Sequence, residues 1–143
     1  MPCIDAQNRM SPHVKLVQFV PHGDSRGSLI ALESEGDIPF KVRRTYYIYD
    51  TQAGTPRGFH AHRSLKQLLI AVSGTVTVYC EFGGQRQKFL LDSPDKGLLV
   101  EGLVWREMHD FSKGAVLLVL ASEHYSEEDY IRDYDVFLKE MTI

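Results

Sequence analysis

Along the chain, short apolar runs rich in β-branched and aromatic residues alternate with polar turn signals. The runs cover residues 14–20, 28–33, 42–49, 67–72, 75–82, 87–91, 98–101, 104–111 and 115–121, and their composition is that of strands. Between them lie His22-Gly-Asp-Ser-Arg26-Gly27, a Ser73-Gly74 pair read as a hairpin, a second turn at Gly83-Gly84 and a loop over residues 92–97. Strands recurring about every ten residues point to an all-β sandwich or barrel. The C-terminal stretch changes character. Ser126 reads as an N-cap with Asp129 three residues on, and Tyr130, Ile131, Tyr134, Phe137 and Leu138 recur at helical spacing. This predicts one short amphipathic helix packed on the barrel, with the acids from Asp129 to Asp135 on its solvated face. Residues 1–13 read as a flexible N-terminal tail, leaving residues 14–143 as a single domain.

Composition narrows the partners. The 143 residues are 43% hydrophobic and 24% charged with a net charge of −3, an ordinary globular balance with scattered Lys and Arg. A broad basic footprint for nucleic acid or an anionic membrane is absent, so any anion must be gripped by a few placed cations. Cys3 and Cys80 lack metal-ligand spacing, and two cysteines build no disulfide scaffold. Neither a signal-peptide pattern nor an apolar run long enough to cross a bilayer is visible. The expectation is a cytoplasmic protein with no membrane and no nucleic-acid partner.

The chemistry concentrates in Gly54-Thr-Pro-Arg57-Gly-Phe-His60-Ala-His62, followed by Gln67 and Gly74. Positions two apart on a strand share a face, so His60 and His62 point together into the barrel. The string resembles the first cupin motif, except that Gln67 stands where cupins usually place a metal-ligating Glu. Gly97 to Glu107 occupies the place of the second motif without its usual Pro or a well-registered His. Two histidines and a neutral amide make an incomplete metal site. Acid–base chemistry by imidazole is the reading that remains, with no metal and no cofactor.

Further strings narrow the resemblance. Asp24-Ser-Arg26-Gly and Arg57-Gly-Phe-His60 resemble motifs of the cupin epimerases of thymidine-diphosphate-linked keto sugars, where the arginine meets the diphosphate and the histidine is the base. Arg44-Thr-Tyr46-Tyr47-Ile, Leu91-Asp-Ser-Pro, Val104-Trp105, Glu107-Met-His-Asp-Phe111 and Asp129-Tyr-Ile-Arg-Asp-Tyr-Asp135 extend the match from about Lys15 onward. The whole is similar to the nucleotide-sugar 3,4-ketoisomerases of the cupin superfamily. That resemblance implies a jelly-roll β-barrel with a short C-terminal helix. It also implies isomerisation of thymidine-diphosphate 4-keto-6-deoxyglucose to its 3-keto isomer. An aminotransferase would then make 3-amino-3,6-dideoxy sugars for surface polysaccharide such as the O-antigen of lipopolysaccharide, for glycoprotein glycans or for antibiotics.

By the same resemblance His60 is the proton-transferring base, His62 serves the oxygen-side transfers, and Tyr46 stabilises the developing oxyanion. The substrate-binding candidates are Arg26, Arg44, Arg57, Tyr47, Lys66, Trp105, Arg106 and Glu107. Either Tyr46 or Tyr47 faces the barrel, and the alternation does not say which. Trp105 is either core or a stacking surface, and Arg106 stands where relatives carry His. A homodimer with an exchanged N-terminal strand is expected. Two other functions share these motifs: an epimerase at C3 or C5 of a similar sugar, and a non-catalytic cupin that binds a nucleotide sugar.

Overall fold

The structure is a computed structural model and describes residues 13–142. Its elements are β1 (Val14–Gln18), β2 (His22–Asp24), β3 (Gly27–Leu29), β4 (Arg44–Ile48), β5 (Arg57–His62), β6 (Lys66–Ser73), β7 (Val76–Phe82), β8 (Gln85–Leu91), β9 (Lys96–Glu101), β10 (Trp105–His109), β11 (Val116–Ala121), β12 (Tyr130–Ile131) and one helix, α1 (Tyr134–Met141). Two five-stranded antiparallel sheets, ordered β1-β9-β6-β11-β4 and β12-β5-β10-β7-β8, face each other as the two walls of a jelly roll. A separate hairpin, β2–β3, pairs with neither sheet. Of the expected tail, residues 1–12 lie outside the described residues. His13 is anchored, its carbonyl accepting from Glu101 N at 2.7 Å and its ring 4.7 Å from Phe82.

Three apolar layers explain which positions are buried. Between the sheets, Val14, Leu69, Ala71, Val78, Leu91, Leu98, Val100, Met108, Leu117 and Val119 form the barrel core. On the outer face of the first sheet, Phe19, Ile38 and Phe40 from the long β1–β4 connection cover Leu68, Ile70, Leu99 and Leu120. On the outer face of the second, Ile131 and Phe137 cover Ala61 and Trp105. Strand β6 is therefore buried on both faces, which is why residues 68–71 read as an unbroken apolar run rather than an alternation.

Three expectations are corrected. Ser73-Gly74 does not close a hairpin: β6 and β7 belong to different sheets, and this turn carries the chain across the barrel. Gly74 is required there, with φ of +70° and an added Cβ 2.8 Å from Ala115 Cα. By contrast Gly83 and Gly84, both at positive φ, form the two-residue loop of the β7–β8 hairpin. The run expected over 28–33 is a strand only to Leu29. The C-terminal helix begins later than its spacing suggests. Glu127–Asp129 form a single 3₁₀ turn, Tyr130–Ile131 extend to pair with β5, and Asp133 rather than Ser126 caps the α-helix, accepting from Asp135 N at 2.8 Å. Burial of Ile131 against Trp105 and Phe137 wins over the helical propensity of the intervening residues.

Candidate active site

Where the apolar core ends, the inward positions of four strands turn polar. Strand β4 contributes Tyr46, β5 His60 and His62, β6 Gln67, and β10 Arg106. The β5 strand is not regular. Arg106 pairs with His60 but Glu107 pairs with Gly58, so Phe59 is an extra residue, a β-bulge, with φ of +61° behind Gly58 at +90°. An added Cβ on Gly58 would lie 3.1 Å from Arg106 O. Bulges re-aim the side chains beside them, and this one sets the direction of His60.

The two imidazole rings meet edge to face with centroids 4.9 Å apart, and Tyr130 of β12 closes over them at 5.3 Å from His60 and 4.3 Å from His62. Burial, and then the positive charge of Arg106, push His60 down to about 4 and His62 down to about 2. Both imidazoles are neutral at physiological pH, and the 3.1 Å contact from His62 Nδ1 to Asp129 Oδ2 is an N–H donating to a carboxylate rather than an ion pair. With its one ring proton on Nδ1, His62 presents Nε2 as a lone pair. That nitrogen is buried with no hydrogen-bond partner. Asp129 is itself held by Ser64, whose backbone N (2.9 Å) and Oγ (3.1 Å) donate to Oδ1.

On the histidines' own sheet, Arg106 pairs across from His60, reaches towards the facing sheet and is 1% exposed. Its Nη1 donates to Gln67 Oε1, while Nη2 and Nε donate to the Val104 carbonyl at 2.9 and 3.3 Å. Gln67 Nε2 donates to Tyr46 Oη at 3.1 Å. Burial raises the Tyr46 phenol above its ordinary value, so it keeps its proton. Arg44 lies 5.3 Å over the Tyr46 ring, its Nε buried and unpartnered. A cleft of about 520 Å³ opens beside this group, lined by Arg44, His62, Ser64, Tyr125, Asp129 and Tyr130 among others. Among the described residues no cluster of three or more His, Cys, Asp or Glu could hold a metal.

The expected site residues divide accordingly. His60, His62, Tyr46 and Arg106 converge, with Arg44 at their edge. Tyr47 points out of the barrel, 61% exposed beside Tyr49, which leaves Tyr46 as the inward tyrosine. Trp105 and Glu107 are on the outer face of β10. Trp105 lies under α1, 5.2 Å from Tyr134, and its Nε1 donates to Glu107, which also accepts from Arg86. They fall on that face because they alternate with inward Arg106. Lys66, next to inward Gln67, points outward and pairs loosely with Glu101 at 3.7 Å. Arg57 is exposed at the start of β5. Arg26 sits on the β2–β3 hairpin, paired with Asp24 at 2.6 Å and with its side chain 89% exposed; among the described residues no hydrogen bond or ion pair joins it to the site. Asp129, Tyr130, Ser64 and Gln67 were not expected as site residues. Their spacing places Asp129 and Tyr130 in a helix, and nothing local ties Asp129 to His62, 67 residues earlier.

Comparison with known proteins agrees with this geometry. A family described as "FdtA: WxcM-like, C-terminal" matches residues 12–142. The chain belongs to the FdtA family. A TDP-4-oxo-6-deoxy-α-D-glucose-3,4-oxoisomerase from Aneurinibacillus thermoaerophilus is 50% identical over 125 residues, 87% of this chain and 90% of that protein. The QdtA 3,4-ketoisomerase of Thermoanaerobacterium thermosaccharolyticum, crystallised as a His-to-Asn variant with TDP-4-keto-6-deoxyglucose, superposes with a TM-score of 0.91. It is 41% identical, over 93% of this chain and 96% of that one. A 3,4-ketoisomerase from Helicobacter canadensis superposes at 0.89 with 47% identity, over 91% of this chain and 98% of that one. The FdtA-family barrel is thus the frame in which the paired histidines are to be understood.

Proposed function

We propose that this chain is a thymidine-diphosphate 4-keto-6-deoxyglucose 3,4-ketoisomerase that moves the ketone from C4 to C3 through an enediol. The observation that carries the reading is the pair of neutral imidazoles, His62 buried and His60 half-buried, set against a phenol in a barrel half-identical in sequence to an oxoisomerase of that substrate. The C3 hydrogen is acidic because the C4 carbonyl accepts the charge. His60 removes that proton and later delivers a proton to the adjacent C4. Tyr46 donates to the C4 oxygen as it becomes an enolate. His62 passes the proton that O3 loses to O4, so that one C–H and one O–H are broken and one of each is formed. Asp129 supports the transient His62 imidazolium, as a carboxylate hydrogen-bonded to a histidine does in hydrolases. Arg44 and Arg57 are the cations for the diphosphate, which guanidinium binds in bidentate fashion.

The same reading extends to assembly and setting. Every residue of β2 and β3 is exposed, the hairpin joins no other strand, and Val20 (74% exposed) and Leu29 (61%) flank and end it. An isolated two-stranded hairpin is marginal in water. This supports a homodimer in which the hairpin reaches a partner and brings Arg26 to the partner's site, whereas β1, the strand expected to be exchanged, pairs with β9 of its own chain. The buried, unpaired thiol of Cys80 suits the reducing cytoplasm, and no helix among the described residues is long and apolar enough to span a membrane. The product would feed an aminotransferase making 3-amino-3,6-dideoxy sugars for surface polysaccharide, including the O-antigen of lipopolysaccharide.

The test is NMR of the 4-keto-6-deoxy substrate with purified, chelator-treated protein in deuterated water. A 3-keto product establishes the activity without a metal. Deuterium wash-in without carbonyl migration would replace it with an epimerase, and unchanged substrate would overturn the enzyme reading.

A further inference from the structure

A line of hydrogen bonds runs from Arg106, on the histidines' own sheet, to Gln67 and Tyr46 on the facing one, and its direction is fixed by chemistry. Arg106 carries only donors, so the Gln67 atom it meets is the carbonyl, Oε1. The amide nitrogen then faces Tyr46, and since it too can only donate, Tyr46 Oη is the acceptor at 3.1 Å. The phenol's own hydrogen must therefore go to a third group. No such group is present among the described residues, and Tyr46 projects inward against the barrel core. Arg106 is fully buried, yet all its acceptors are neutral: the Gln67 amide and the Val104 carbonyl. A charge buried without a counter-charge is costly. Such a charge is preorganised for an anion that appears only during a reaction.

We infer that Arg106 and Gln67 are positioning residues that make Tyr46 an obligate hydrogen-bond donor to the substrate's ketone oxygen and supply the positive charge that its enolate meets. The inference rests on the ketoisomerase reading and adds to it a polarity for the catalytic wall. Glutamine, not glutamate, is essential to this arrangement. A carboxylate at position 67 would neutralise Arg106 in the resting enzyme and accept the Tyr46 hydrogen, removing both the charge and the donor from the substrate. Burial keeps the phenol protonated, as a donor must be.

The experiment compares wild type with Gln67→Glu, Tyr46→Phe and the double variant, each checked for folding by its thermal melt. Losing one donor to an oxyanion costs about 10²–10³-fold in kcat. Gln67→Glu is expected to lose about 10²-fold in kcat with KM changed less than threefold. The double variant is expected to be slower than Tyr46→Phe by less than the full Gln67→Glu loss, because the two substitutions share the Tyr46 donor and differ only in the Arg106 charge. A second readout needs no substrate: titration of the Tyr46 phenol by carbon NMR should move at least about one pH unit higher in Gln67→Glu, whose carboxylate cancels the Arg106 charge. Should Gln67→Glu not fold, Gln67→Met severs the same line and is held to the same kinetic outcomes. Retention of kcat within threefold, or losses that multiply in the double variant, would overturn the inference. So would an unmoved Tyr46 titration. If wild type itself forms no 3-keto product, the proposed function falls, and the titration alone still judges the polarity of the wall.

Discussion

Asp129→Asn is expected to damage this enzyme more than Asp129→Ala, an order opposite to the usual ranking of conservative changes. Asp129 Oδ1 accepts from the backbone N–H of Ser64 at 2.9 Å, and Oδ2 accepts from His62 Nδ1 at 3.1 Å. A backbone N–H cannot reverse its role, so asparagine must turn its carbonyl oxygen to Ser64. Its NH₂ then faces His62 Nδ1, and a neutral imidazole can meet a donor only with a lone pair. The ring proton moves to Nε2, the nitrogen that the native fold leaves buried and unpartnered for substrate. Alanine imposes no such choice and leaves both tautomers accessible. The native contact is a hydrogen bond to a charged group, worth about 1.5–3 kcal/mol. At 1.36 kcal/mol per tenfold change in rate, this corresponds to about 10–10²-fold in kcat. The enforced wrong tautomer places the asparagine variant at the upper end of that span or beyond it. Turnover of the 4-keto sugar, followed by NMR, gives kcat and KM, and nitrogen NMR of the His62 ring reports which nitrogen carries the proton. A kcat for Asp129→Asn within threefold of wild type, or equal to that of Asp129→Ala with Nδ1 still protonated, would refute this reasoning.

Three other outcomes follow from the same geometry. His60→Asn should abolish turnover while substrate affinity, measured by calorimetry, stays within a few-fold, since general base catalysis is worth about 10²–10⁴-fold; more than about a tenth of the wild-type rate would show that another group is the base. Because burial and Arg106 hold His60 down to about 4 and His62 down to about 2, kcat/KM should show no acid limb near pH 6.5. The unfolded chain binds protons through that region while the native site does not, so stability contributed by the neutral imidazoles is present above pH 6.5 and falls as pH drops towards 4, read as a declining melting temperature. Glu107→Gln should leave kcat within about threefold while lowering the melting temperature, since Glu107 binds Trp105, Arg86 and His109 on the outer face; a large kcat loss with KM unchanged would put that residue back into the chemistry.

The positions at which sequence reading succeeded and failed share a physical basis. Strand character and the common face of His60 and His62 follow from a two-residue period that every strand obeys wherever it lies, and Gly83-Gly84 closes its hairpin because positive φ is a local demand. Ser73-Gly74 looks equally local, yet whether a turn returns to the same sheet or crosses to the other depends on what β6 and β7 pair with, and their partners lie elsewhere in the chain. Tyr46 and Tyr47 are chemically equivalent neighbours; the register of β4 on β11 decides which faces in. The same alternation turns Trp105 and Glu107 outward once Arg106 takes the inward place.

By itself, then, the sequence determined the strand-rich class, the paired imidazoles on one face and the family resemblance, since each rests on residues near one another along the chain. The tertiary structure alone decided that Asp129 sets the tautomer of His62, that Tyr130 closes over both rings, and that a buried guanidinium polarises Tyr46 through Gln67. Each of those is a contact between residues 21 to 70 positions apart. It exists because two sheets and a two-residue strand fold onto one another, and no local pattern encodes which distant side chains that folding brings within hydrogen-bond reach.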